Sequence, residues 1–112
     1  MPKIKWVVLI FVLSWSTSVL SAGMTAWGKV TEVYVNKGWT MVQVSGIADN
    51  PDGCTSTTYY SINPNDSNYK VLHSTLVSAL ALQKKVKFWI NSCGGQGMNY
   101  PQIESIFMSV NS

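Results

Sequence analysis

The chain contains no arginine, one histidine and two cysteines among its 112 residues. Each scarcity removes a class of function. Without arginine there is no planar fork to grip phosphates or read base edges. With His73 as the sole imidazole, only one histidine could join the two sulfurs, too thin a set for a metal site. No glycine-flanked serine elbow or serine–histidine motif surrounds His73. The sequence has no internal repeat and no low-complexity tail. His73 follows Leu72 on an expected helix and reads as a surface or boundary histidine.

Net charge is low once the start of the chain is set apart. Lys3 and Lys5 precede an apolar run, Trp6 to Leu13, and then small residues up to Ala22. Charge, short apolar core and small residues in that order read as a secretory signal peptide. The apolar core is shorter than the ~20 residues that span a bilayer. Residues 1–22 are therefore expected to be cleaved, after Ser21 or Ala22, leaving residues 23–112 as one periplasmic or secreted domain without a membrane span. No cysteine follows the leader, so a lipid anchor is not indicated. The whole chain carries +3, but the mature part has six lysines against five carboxylates, or +1. The basic balance belongs largely to the leader, and nucleic acid is not expected as a partner.

A domain of this size buries a thin core. Export leaves Cys54 and Cys93 where disulfides persist, and two cysteines allow one intramolecular bridge.

Residues 28–35 are rich in β-branched residues and predict a strand. Asn36-Lys37-Gly38 predicts a turn, and residues 39–47 a second strand paired to the first. Asp49-Asn50-Pro51-Asp52-Gly53 is a breaker-rich loop that lacks the alternating acids of a calcium loop. Residues 56–62 predict a third strand, and Asp66, Ser67 or Asn68 a helix cap. Leu72, Leu76, Ala79, Leu80 and Gln83 recur at helical spacing within 69–83. Residues 85–92 alternate, with Val86, Phe88 and Ile90 on one face and Lys85, Lys87, Trp89 and Asn91 on the other. Gly94-Gly95-Gln96-Gly97 lacks the lysine of a phosphate loop and reads as a connector to a last strand over 102–110. Three strands, one helix, then two strands predict a mostly-β, OB-fold-like five-stranded barrel of order β-β-β-α-β-β, in preference to an open α+β sheet.

Neither chemistry nor a cofactor follows from these residues. Glu32 and Glu104 are the carboxylates that neighbouring strands could pair for glycoside hydrolysis, but no motif requires it. The aromatics are more informative. Tyr59 and Tyr60 are consecutive, so a strand points them to opposite faces and one faces out. Trp89 shares a polar strand face with Lys85 and Lys87. Trp27, Trp89, Tyr59, Tyr60, Lys85 and Lys87 are accordingly the candidate contacts for a sugar or a protein.

Several short stretches also carry a resemblance. Gly28-x-Val30, the helix with Leu76 and Ala79, Lys85-x-Lys87-Phe88-Trp89-Ile90 and Tyr100-Pro101-x-Ile103 resemble the B subunits of the subtilase cytotoxin and pertussis-like group. Gly53-Cys54, Tyr59-Tyr60-x-Ile62, Leu76 to Ala81, Lys84-Lys85-Val86 and again Tyr100-Pro101-x-Ile103 are similar to small uncharacterised exported proteins of Gram-negative bacteria. The toxin resemblance implies an exported OB-fold that forms a homo-oligomer, a pentamer in that group, and binds host glycans. Trp27 stands where those subunits carry a sialoglycan-pocket serine, so no binding residue is carried over. The expected function is a non-enzymatic exported binding module for a glycan or an envelope or secreted protein. The alternative is a periplasmic inhibitor or protective protein acting through Asp49–Gly53 or Cys93–Gly97.

Overall fold

A hairpin organises the domain. In the computed structural model, which describes residues 22–111, strands β2 (Gly28–Asn36) and β3 (Trp39–Ser45) pair antiparallel around Lys37-Gly38. Both turn residues have positive φ, 53° and 85°, as a two-residue hairpin turn requires. A bulge between Val30 and Glu32 shifts the phase of β2. Beyond it Val33 packs against the core, opposite Val42, and Val35, opposite Thr40, lies past the core's edge and is exposed, while Glu32 and Tyr34 lie on the other face, opposite Gln43 and Met41.

The remaining strands close a ring. A two-residue strand, β1 (Gly23–Met24), adds to β5 (Lys85–Gly94), and the sequence did not predict it. β5 pairs with β2 at Gly28–Val86 and Lys29–Lys85, and along its length with β6 (Tyr100–Met108). β4 (Tyr60–Ile62) lies antiparallel to β3 and touches β6 in parallel at Ser61–Gln102, where the Ser61 hydroxyl donates to the Pro101 carbonyl at 3.1 Å. The circuit β5-β2-β3-β4-β6-β5, with the helix between β4 and β5, is the OB-fold-like arrangement. The third strand is shorter than expected. The Thr58 amide donates to the Ser56 hydroxyl at 3.1 Å, and that local turn withholds residues 56–59 from the sheet. The last strand begins at Tyr100 and ends at Met108, two residues earlier at each end than the expected 102–110.

Helix α1 (Tyr69–Leu82) buries Leu72, Leu76 and Ala79, one stripe at helical spacing. Asn68 occupies the cap position without a side-chain cap bond, and the Asp66 carboxylate accepts from the Asn68 amide at 2.7 Å. Gln83 lies just past the helix in a left-handed conformation, and its amide donates to the Leu80 carbonyl at 2.8 Å. The helix stripe meets Val30, Val42, Ile62, Phe88 and Ile103 in one core. Burial of each such side chain stabilises by about 1.5–3 kcal/mol. His73 is a half-buried boundary residue, and its Nδ1 lies 2.8 Å from the Thr40 hydroxyl. The Tyr69 hydroxyl lies 2.7 Å from the same oxygen, so one buried threonine ties α1 to β3.

Cys54 and Cys93 form a disulfide with Cα atoms 5.7 Å apart. The breaker-rich loop before Cys54 is tightly held. Asn50 bonds both the amide and the carbonyl of Cys54 at 2.7 Å, and Asp49 accepts from the Ala26 amide at 2.9 Å. Asp52 accepts from the Ser92 amide next to the bridge. Among the described residues no helix is long and apolar enough to cross a membrane. The expected leader lies outside the described residues apart from Ala22.

Candidate functional site

The six residues expected to make contacts separate into three places. Tyr60 is a correction: at 1% exposed, with its ring 5.7 Å from that of Phe88, it belongs to the core and has no surface to offer. Its hydroxyl donates to the Asp49 carbonyl at 2.7 Å, and burial, then the Asp49 charge, push its pKa up to about 12.

Trp27, Lys85, Lys87 and Trp89 gather on and beside the outer face of β5, as the alternation required. Lys87 Nζ lies 4.8 Å from the Trp27 ring centre and 5.6 Å from that of Phe107. Lysine and aromatics here satisfy one another. Trp89 is half-buried between Met24 of β1 and Ser105 of β6. Trp27 and Lys85 also border a shallow groove with Ser109 and Asn111.

Tyr59 goes elsewhere, to a surface the sequence did not reveal. The outward residues of β2 and β3 are Glu32, Tyr34 and Asn36 beside Trp39, Met41 and Gln43. The β5–β6 connection folds over this face. A side chain on Gly94 would come within 2.6 Å of the Trp39 ring and the Gln102 amide, and one on Gly95 within 2.8 Å of Met41. Glycine at both positions lets the backbone lie flat on the sheet, which explains the Gly-Gly pair and the full burial of Met41 on an outer face. The connection delivers Gln96, which accepts from the Tyr34 hydroxyl at 3.4 Å and donates to the Asn36 carbonyl at 3.2 Å. It also delivers Tyr100. The Ser56 amide donates to the Asn99 carbonyl at 2.9 Å and draws the loop carrying Tyr59 alongside.

Three tyrosines result, each half-buried. The rings of Tyr34 and Tyr59 meet edge to face at 5.2 Å, and those of Tyr59 and Tyr100 at 6.2 Å. The Tyr59 hydroxyl donates to the exposed Glu32 carboxylate at 3.3 Å. Partial burial, then Glu32, raises the Tyr59 pKa; partial burial, then Tyr100 and Glu32, raises that of Tyr34. The polar contacts at the rim, 3.2–3.4 Å long, are weak ones that a ligand's hydroxyls can replace. Aromatic faces bordered by a carboxylate and an amide suit a ligand with an apolar C–H face and polar edges.

Glu32 and Glu104 are not brought together. Glu32 lies on β2, whose neighbours are β3 and β5, while Glu104 on β6 accepts from Asn91 at 3.1 Å. Comparison with known proteins found no matching family model, curated protein or solved structure.

Proposed function

We propose that the protein is an exported, non-enzymatic binding module whose contact surface is the Tyr34–Tyr59–Tyr100 face and whose ligand is a glycan. The carrying observation is the run of three half-buried, edge-to-face tyrosines with Glu32 and Gln96 at its rim. Its place in the fold supports the reading. OB-folds bind oligosaccharides and oligonucleotides across the face of their second and third ring strands, flanked by two loops. Here those parts are β3, β4, the Lys37-Gly38 turn and the β5–β6 connection, and the tyrosines border them: Tyr34 on β2 beside Met41 of β3, Tyr59 just before β4 and Tyr100 at the end of the β5–β6 connection. Between the two ligand classes the electrostatics choose. A chain without arginine, with Glu32 at the site, opposes a polyanion. The resemblance to glycan-binding toxin B subunits points the same way.

The experiment is a broad glycan array probed with residues 23–112 and with Tyr59→Ala. Retention of a defined glycan set by the wild type and its loss by about 30-fold or more in the variant is expected, since an aromatic anchor commonly contributes that much. An array on which the wild type retains nothing would sink the reading.

A further inference from the structure

The geometry points to a preference within that class: the Tyr34–Tyr59–Tyr100 corner takes an amino sugar through its ammonium group, with Glu32 as the counter-charge. The inference rests on the glycan reading and adds the charge of the ligand. Aromatic faces attract cations because the ring quadrupole is negative above the plane, and perpendicular rings beside a carboxylate concentrate that attraction. Tyr34 and Tyr59 stand at 87° to one another, and Tyr59 and Tyr100 at 81°. Glu32 Oε2 lies within hydrogen-bond reach of the Tyr59 hydroxyl, at the edge of the corner. The charged group that acts on both Tyr34 and Tyr59 is the Glu32 carboxylate, while the phenols themselves are neutral at the pH of the test, so the fixed charge at the corner is negative. A sialic or uronic acid would be repelled there. A sugar with a free amine would offer its C–H face to a ring, its ammonium to Glu32 and its hydroxyls to Gln96 and the Asn36 carbonyl. A simple quaternary ammonium would leave those last two groups unused. The contrast with the β5 face is informative. There Lys87 already stands over Trp27 and Phe107, so that aromatic pair carries its own cation.

The test is calorimetric titration of residues 23–112 with a glucosamine tetrasaccharide and with its fully N-acetylated counterpart, below neutral pH so that the amines are charged. The glucosamine oligomer is expected to bind about tenfold tighter, with a preference that shrinks as salt is raised. Glu32 is exposed, so Glu32→Gln leaves the fold intact, and it is expected to abolish the preference, weakening the glucosamine oligomer about tenfold more than the acetylated one. Equal or tighter binding of the acetylated oligomer would overturn the cation preference and leave the glycan reading standing. A preference that survives Glu32→Gln would overturn the role given to that carboxylate. Binding of neither oligomer, with a blank glycan array, would remove the glycan reading and this inference with it.

Discussion

Removing one oxygen, in Tyr60→Phe, tests how the loop over residues 46–59 is anchored to the core. Tyr60 is buried, and its hydroxyl donates to the Asp49 carbonyl at 2.7 Å, while Asp49 itself holds the Ala26 amide. At neutral pH the variant loses a hydrogen bond and leaves that carbonyl short of a donor, which costs about 1–1.5 kcal/mol. The pH dependence then narrows the comparison. Burial and Asp49 raise the folded pKa of Tyr60 to about 12, against about 10 for an unfolded tyrosine. The unfolded chain therefore releases its proton first. The stabilisation is intact below pH ~10 and is lost as pH rises toward ~12. A shift of that size bounds the loss at about 3 kcal/mol, and solvent near the half-buried Asp49 lowers it to about 1–2 kcal/mol. Phenylalanine has no proton to release. Urea unfolding of both oxidised proteins from pH 7 to 11 should show the wild type ahead at pH 7 and the gap closing above pH 10. A gap that is constant or widens with pH would refute the reasoning.

Cys54→Ser and Cys93→Ser should each destabilise by up to about 4 kcal/mol, the chain-entropy value for the 39-residue separation, and unreduced protein should show no free thiol by alkylation and mass spectrometry. Thr40→Val should cost about 1–2 kcal/mol in chemical denaturation, because the Tyr69 hydroxyl and His73 Nδ1 lose their shared partner and α1 loses its tie to β3. Trp89→Ala should cost about 1–3 kcal/mol, since the side chain is half-buried between β1 and β6, and should leave glycan retention unchanged. Lost retention with intact stability would move the contact surface to β5.

Much of the architecture is legible because period and burial agree. The alternation of residues 85–90 places Val86, Phe88 and Ile90 inside and Lys87 and Trp89 outside, and the 72–76–79 stripe is the buried helix face. The site is harder to read because its parts come from irregularities. Without the bulge after Val30, strict alternation would put Val30, Glu32 and Tyr34 on one face and hide Tyr34 in the core. Tyr59 lies in a segment whose side-chain-closed turn keeps it out of β4. Met41 is buried on an outer face only because two glycines let a distant loop cover it. Tyr100 falls two residues before the strand expected from the sequence, and nothing local says that it meets Tyr59. The aromatic with a readable face, Trp89 on the alternating strand, accordingly stands out in sequence ahead of Tyr34 and Tyr100.

The most direct measurement is an NMR titration of labelled residues 23–112 with the saccharide selected by the array, following aromatic and side-chain amide signals. The account predicts that Tyr34, Tyr59, Tyr100 and the Gln96 amide shift together with one dissociation constant, while Trp27, Trp89 and Phe107 stay still. Shifts centred on Trp27, Trp89 and Phe107, with the three tyrosines unmoved, would contradict it.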